Sequence, residues 1–310
     1  MPKDKQTWED LTFGPVTVLG GPAGGRYPEG NSLLVEGDRQ KIIIDPSLAL
    51  LAREKVPESV DFVLNSHCHE DHVAGNHLFP DCPWHLHELD APGIRSLDAF
   101  MAIYGFDGPI DTVFRKVLVE DFHFVPREDP QTFTDGRVFD LGAVTVTAHH
   151  LPGHTRGHCC FEIDWEEEGG ARRILYLADI ELTSFGPYYG DAWSNLEDFE
   201  QSLKRVRTME ADWYATFHHI GVLEGREAFL SRLDVFESKI ADREARLLDY
   251  LSEPHDIEEI VAHRFVYRPG DDVGFADDVE RRSMSQHIDR LLRAGIVRKE
   301  ADGRFVRTST

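Results

Sequence analysis

Four residues of metal-ligating type crowd into six positions: His67, His69, Asp71 and His72, in the order His-x-His-x-Asp-His. The run before them, Val60-Asp61-Phe62-Val63-Leu64, is short, apolar and β-branched, the pattern of a buried strand. Val73-Ala74-Gly75-Asn76 then leads toward a helix. The cluster therefore falls at the carboxyl end of a strand, where open α/β sheets place their ligand sites. Neutral imidazole is the commonest protein metal ligand, and carboxylates join it around borderline and hard cations. On extended backbone His67 and His69 share one side, and Cys68 faces the other, which gives it a packing role. Asp71 and His72 lie past the strand end and can aim at a second point in space, so the spacing suits two adjacent metals better than one. The alternative is a polar loop that happens to be histidine-rich, since the chain has 16 His in 310 residues. Four ligand-type residues at one strand end weigh against it.

Further strand ends carry the same residue types. Val144-Thr145-Val146-Thr147 leads into His149-His150-Leu151-Pro152-Gly153-His154-Thr155-Arg156-Gly157-His158, where the glycine before His154 lets the backbone turn and present one imidazole. Ile174-Leu175-Tyr176-Leu177-Ala178 ends in Asp179, a carboxylate out of place in a core and in place as a ligand. Trp213-Tyr214-Ala215-Thr216-Phe217 ends in His218-His219. Around these, residues 12–20 read as a first strand, and 32–36 and 41–45 as a hairpin closed by Gly37-Asp38 and ended by Asp45-Pro46. Residues 88–104 look helical with a break at Pro92-Gly93, and 105–130 carry no clear pattern. That stretch could lie over the site and bring Tyr104, Phe106, Phe122, His123 or Phe124 to a substrate, although core packing is the plainer role for its aromatics. Ser194-Asn195-Leu196-Glu197 reads as a capping box, and a long helix runs from about residue 225 to 251. Gly20 to Gly25 resembles a phosphate loop only superficially, because no Lys-Ser/Thr pair follows. The sum is a layered α/β sandwich with ligands gathered at one edge.

Composition narrows the class. The chain can bury one domain of about 200–250 residues plus an appendage. No apolar run reaches the roughly 20 residues of a membrane span, and no signal-peptide core follows the polar N-terminus, so a cytoplasmic protein is the expectation. Four Cys make no disulfide framework. The net charge of −23 repels phosphate backbones and argues against general nucleic-acid binding.

In order and spacing these stretches resemble the metallo-β-lactamase-fold hydrolases: His67-x-His69-x-Asp71-His72, Pro152-Gly153-His154-Thr155, Leu177-Ala178-Asp179 and His218-His219, within roughly residues 12–230. The resemblance implies an α/β protein with an αββα sandwich. It implies that His67, His69 and His154 hold one metal, that Asp71, His72 and a last His hold a second, and that Asp179 bridges them. The family usually shows a small residue before the last His, whereas Phe217, His218 and His219 are adjacent here. His219 is taken as the ligand, because Ile220-Gly221-Val222 resembles the usual following loop. The carboxylate at Asp179 looks more like glyoxalase II and lactonases than true β-lactamases, and His69 stands where flavodiiron proteins have Glu.

The division expected is a catalytic domain over 1–230 and, over 231–310, the long helix plus a small winged-helix-like domain. The tail supports it: helices over 256–266 and 283–293, Gly295 as helix stop, then a hairpin around Asp302-Gly303. It resembles the tail of hydrolases of the β-lactamase-like protein 2 type, which act on single-stranded RNA. Its basic residues, among them Arg281, Arg290, Arg298, Lys299 and Arg304, keep an RNA phosphodiesterase as the second reading. The first reading is a dinuclear zinc hydrolase, with iron or manganese as alternative metals, whose metal-bridging hydroxide attacks an acyl ester, thioester or lactone. Asp71 would hold metal and orient the nucleophile, and Thr155, His158 or His150 could steady the ligand imidazoles. A third reading is a mononuclear-iron, persulfide dioxygenase-like oxidoreductase. The expected partner is a small acyl substrate rather than nucleic acid or a membrane, with a homodimer left open.

Overall fold

The computed structural model describes residues 9–57, 59–271 and 273–308. Its first sheet has seven strands in sequence order, β1 (Leu11–Phe13), β2 (Val16–Leu19), β3 (Ser32–Glu36), β4 (Lys41–Ile44), β5 (Phe62–Leu64), β6 (Trp84–His87) and β7 (Gln131–Phe133). The first four pair antiparallel, and β4 to β7 run parallel. The second sheet has six, β8 (Val138–Asp140), β9 (Val144–His150), β10 (Cys159–Glu167), β11 (Gly170–Tyr176), β12 (Trp213–Ala215) and β13 (Val222–Glu224), all antiparallel except β11 with β12.

Alternation along the strands builds four layers. Ile42, Ile44, Phe62 and Leu64 face inward and pack with Val146, Phe161, Ile163 and Tyr176 of the other sheet. Ile43 and Val63, one residue out of step, face outward. They are covered by α1 (Leu97–Tyr104) and α2 (Pro109–Glu120), through Phe100, Ile103, Phe114 and Leu118. Leu175, Leu177 and Tyr214 line the outer face of the second sheet, under α3 (Leu196–Arg207) and α4 (Arg226–Tyr250). The order is helix, sheet, sheet, helix, the αββα arrangement expected. Cys68 is fully buried in the outer core of the first sheet, consistent with packing.

Several local expectations are corrected. Residues 12–20 form two strands, since Gly14 (φ +51°) and Pro15 turn the chain between β1 and β2. The unreadable 105–130 stretch contains α2, whose Pro109 sits in the first turn, where a missing N–H is harmless. The cap of α3 is Asn195, which accepts from Asp198 N at 2.9 Å, while Ser194 Oγ donates to His154 O at 2.7 Å. The glycine-rich 20–25 loop is a packing surface: Gly25 O accepts from His218 Nδ1 at 2.7 Å, and a Cβ on Gly24 would meet His219 O at 2.6 Å.

Residue 230, the expected domain boundary, falls inside α4. The first half of that helix packs on the sandwich through Phe229, Leu233 and Phe236. Its end carries Leu247 and Leu251 into a separate cluster with Ile260, Phe265, Met284 and Leu291. That cluster joins α5 (Ile257–His263), α6 (Ala276–Arg293) and the hairpin β14 (Val297–Lys299)–β15 (Phe305–Arg307). The helix α6 begins seven residues before the 283 start expected, because Ala276 and Val279 already belong to its buried stripe. No helix among the described residues is long and apolar enough to cross a membrane.

Candidate metal centre

The carboxyl ends of β5, β11 and β12 and the β9–β10 loop meet at one edge of the sandwich. After β5, His67 and His69 precede a single helical turn, Glu70–Val73, which carries Asp71 and His72. His154 comes from the turn at Gly153 (φ +129°), where any Cβ would run into the Phe199 backbone at 2.3 Å. Asp179 follows Ala178, a non-glycine residue held at φ +48°. Such strain is tolerated where the surroundings over-determine the backbone, as active sites often do.

Two groups of ligand atoms result, each spanning less than 4.8 Å: His67, His69, His154 and Asp179, and Asp71, His72 and His218. A third grouping, Asp179, Glu181 and His218, adds a carboxylate the sequence did not flag. The expectation for the last histidine is corrected. His218 Nε2 lies 2.8 Å from Asp71 Oδ2, and no cluster among the described residues includes His219. The turn decides it: Gly221 (φ +73°) and His219 (φ +62°) both take left-handed backbone, which swings His219 into solvent and leaves His218 buried at the strand end. Phe217 stacks on the His72 ring at 3.7 Å, and Gly30 leaves it room.

The nitrogens are set for a cation. His154 Nδ1 donates to Tyr188 O at 3.0 Å and His218 Nδ1 to Gly25 O at 2.7 Å. His72 Nδ1 lies 2.9 Å from Asp45 Oδ2. A ring whose Nδ1 carries the proton offers a lone pair at Nε2. The Nε2 atoms of His67, His69, His72 and His154, and Asp179 Oδ1, are buried without hydrogen-bond partners. They lie close to carboxylates, His72 Nε2 at 2.9 Å and His154 Nε2 at 3.1 Å from Asp179, but not in hydrogen-bond geometry. Buried polar atoms are rarely left so, and these converge with the donor chemistry of a His/Asp divalent-metal site. The residues fit two metal ions.

Charge is concentrated there. Burial opposes a charged His72, but the Asp179, Asp71 and Asp45 carboxylates outweigh it and raise its pKa well above the ordinary value. Burial likewise opposes ionisation of Asp179, yet His72 and His154 hold its carboxyl well below the usual range. Burial pushes the Glu181 carboxyl up to about 7, against the pull of His218. Burial and the neighbouring His154 hold His158 down to about 3, so it is a neutral ring bridging Leu151 O and the Asp179 N–H.

The sequence reading missed three aspartates around the ligands, of which two support them by hydrogen bonds. Asp45, buried at φ +46°, accepts from Ser66 N (2.7 Å), Ser66 Oγ (2.6 Å) and Tyr176 Oη (2.7 Å) besides holding His72. Asp90 accepts from Thr155 Oγ1 and Gly157 N at 2.6 Å and Cys68 N at 3.2 Å, tying the first motif to the His154 loop. Thr155 thus acts through Asp90. Asp191 differs from these two: its Oδ2 lies 3.0 Å from His69 Nε2, outside hydrogen-bond geometry, so it stands beside the ligand atom itself rather than behind the ring. A signal existed for Asp45, which ends an apolar strand as Asp179 does; none marks Asp90 or Asp191. His150 is elsewhere, stacked on His87 at 3.9 Å with its Nε2 facing Arg156 O.

A cavity of about 190 Å³ opens over the cluster. Tyr104 and Phe106 line it, while Phe122 and Phe124 are buried away from it and His123 packs against His77. Glu70 accepts from Tyr27 Oη at 2.8 Å and from Tyr104 Oη, fixing both phenols at the rim.

Residues 28–219 match the model of the metallo-beta-lactamase superfamily. Over 206 residues the chain is 25% identical to an atrochrysone carboxyl ACP thioesterase of Aspergillus fumigatus, covering 63% of this chain and 52% of that protein, so it spans about half the relative's length. Among solved structures, a metallo-beta-lactamase family protein of Thermus thermophilus superposes with a TM-score of 0.68 at 22% identity, over 96% of this chain and 99% of that one. A B3 metallo-beta-lactamase with an active-site glutamic acid gives a TM-score of 0.56 at 18% identity, over 77% and 90%. With a family model matched over more than half its length and the fold shared throughout, the chain belongs to the metallo-beta-lactamase superfamily.

Proposed function

We propose that this metal-dependent hydrolase works with two divalent ions, zinc foremost, on an acyl ester, thioester or lactone. The observation that carries the reading is the set of partnerless Nε2 and Oδ1 atoms converging under the cavity. His67, His69, His154 and Asp179 would hold one ion, and Asp71, His72 and His218 the other, with Asp179 facing both. When bound, such ions lower the pKa of water toward neutrality and polarise a carbonyl. The chain's own part is positional. Asp71, within reach of both His218 and His72, would orient the attacking water. Tyr104 and Tyr27 are held over the cluster by Glu70, where they can face the substrate. Thiolate leaves without a general acid, which favours thioesters, and the fungal relative is a thioesterase by name.

Two observations support an acyl substrate over RNA. No Lys or Arg among the described residues lines the cavity. The tail's arginines are also largely engaged: Arg281 with Glu258 (2.6 Å), Arg290 with Glu200 (2.8 Å), Arg298 with Glu300 (2.7 Å), Arg304 with Asp302 (2.7 Å), and Arg293 with Glu197.

The test is paired. Metal content is measured first, then turnover of an acyl thioester and of a labelled single-stranded RNA, with Asp71→Ala as the blank for both. Two zinc per chain and thioester turnover lost in the variant is the expected result. One iron per chain with oxygen uptake, or RNA cleavage that the variant loses, would replace this reading.

A further inference from the structure

The cavity wall is unusual in being built from both ends of the chain. Four rings stack outward from the metal centre: His69 on Tyr104 (5.5 Å, 19°), Tyr104 on Phe106 (5.3 Å, 16°), and Phe106 on Phe275 (5.8 Å, 26°). Phe114 packs edge-on against Phe106 (5.3 Å, 88°). Across the mouth, Phe185 meets Tyr267 at 5.8 Å. Tyr267 and Phe275 belong to the segment between α5 and α6, so the C-terminal helical unit completes a cavity whose metal ligands all lie before residue 219.

That segment is held in place by one buried carboxylate. Glu280 on α6 has no exposed surface and accepts three consecutive backbone N–H groups, Phe265 at 2.9 Å, Val266 at 2.9 Å and Tyr267 at 2.8 Å. A buried carboxylate satisfied this fully is a rigid anchor. It fixes the backbone that presents Tyr267 to the cavity.

Apart from the histidines of the metal centre, the ionisable groups lining the cavity are carboxyls and tyrosines. Glu70, Glu181 and Asp191 line it beside the ligand carboxylates, without a lining Lys or Arg among the described residues. Of the nearby guanidiniums, Arg243 donates to Pro187 O and to Phe185 O, and Arg282 donates through Nη2 to Gly105 O while its buried Nη1 has no hydrogen-bond partner among the described residues.

We propose that Tyr267 and Phe275, with Phe106 and Phe114, form the subsite for the substrate's acyl group, that this group is uncharged and apolar, and that Glu280 is a positioning residue for the subsite. The proposal rests on the acyl-hydrolase reading for its chemistry but not for its binding. Aromatic faces exclude water and take an apolar chain or ring. A carboxylate at the far end of the acyl group would lie outward of the metal centre against aromatic faces, with no lining Lys or Arg among the described residues to pair it.

The test has a kinetic arm and a binding arm. Zinc-loaded enzyme is given thioesters with one common thiol and acetyl, 4-phenylbutanoyl or glutaryl groups. The 4-phenylbutanoyl ester should exceed the glutaryl ester in kcat/KM by about a hundredfold, and Tyr267→Ala or Phe275→Ala should shrink that ratio about tenfold or more. Tyr267→Phe should keep it. Glu280→Gln, which loses one of the two accepting oxygens, should raise KM for the phenylbutanoyl ester more than it lowers kcat. In calorimetry on metal-free protein, neutral 4-phenylbutanamide should bind, glutaramate should not, and both alanine variants should weaken the amide about tenfold. Circular dichroism and the thermal midpoint of each variant separate a lost contact from a lost fold. Equal turnover of glutaryl and phenylbutanoyl esters, or amide binding indifferent to both alanine variants, overturns the subsite while leaving the hydrolase reading intact. Amide binding as expected with no ester turned over removes the hydrolase reading and leaves the subsite standing.

Discussion

Asp45 and His218 show how single side chains set this site. Asp45 takes the Nδ1 side of His72 while three further donors, Ser66 N, Ser66 Oγ and Tyr176 Oη, fix the carboxylate itself. Outer partners of this kind tune a ligand by about 10–100-fold in metal affinity. Asp45→Asn places an NH2 where donors already point, so one zinc should bind about tenfold or more weakly while the other is retained, measured by competition with a chromophoric chelator. Equal affinities at both sites in the variant would remove Asp45 from the support of His72. The paired histidines give a sharper contrast. His218→Ala should lose one metal and nearly all turnover, whereas His219→Ala should keep two metals per chain and wild-type kinetics, read by metal analysis and initial rates. The reverse pattern would restore the choice the sequence suggested. His67, His69, Asp71, His72 and Asp179, which the fold gathers at one edge, stand out in the sequence as ligand types just past apolar strands, and His154 as an imidazole between two glycines in the β9–β10 loop. The choice between His218 and His219 was not, because it turns on left-handed backbone at His219 and Gly221, and non-glycine residues carry no local mark of that conformation.

At the scale of elements, strands buried on both faces could be read directly as short continuous apolar runs, as at Ile42 to Ile44 and Phe62 to Leu64. The helix α2 could not, because Gly, Pro and aromatic residues alternate with charges over 105–130, yet Pro109 is a helix start. Histidines of β6, one of them stacked on His150 at the end of β9 in the other sheet, carry a titration. Burial, reinforced by His150 stacked on it, holds His87 at about 4, against a weaker opposing pull from Asp135; burial and Arg137 do the same for His85. Both pKa values lie below that of an unfolded histidine, about 6.5. Between about 4 and 6.5 the unfolded chain therefore binds more protons than the folded one, and stability falls as pH drops through that window. Below about 4 both states are protonated and this contribution to the slope ends. In urea titrations of metal-free protein, His87→Gln should show a shallower loss of unfolding free energy from pH 6.5 to 4, by up to about one proton's worth of slope. Superimposable curves for the two proteins would show that His87 titrates normally.

For the whole molecule, the metal centre is where the two sheets are joined. His67, His69, Asp71 and His72 follow β5 in the first sheet, whereas His154, Asp179 and His218 follow strands of the second. Without cations this edge holds acidic and imidazole groups packed within 4.8 Å and several partnerless polar atoms. An ion that binds only the folded arrangement stabilises by mass action, about 2.7 kcal/mol at a free concentration a hundred times its Kd. For a chain of this size each kcal/mol shifts the thermal midpoint by about 2–4 °C. Chelation should therefore lower the midpoint by several degrees, and two equivalents of zinc should restore it. The C-terminal unit, with its own cluster around Leu251, Phe265 and Met284, should be less affected. Hydrogen exchange can separate the two: loss of metal should speed exchange of amides after β5, β11 and β12 and leave those of α6 nearly unchanged. An unshifted midpoint with verified metal loss would mean that the inter-sheet core around Ile44, Phe161 and Tyr176 holds that edge unaided, and that the ions serve chemistry alone.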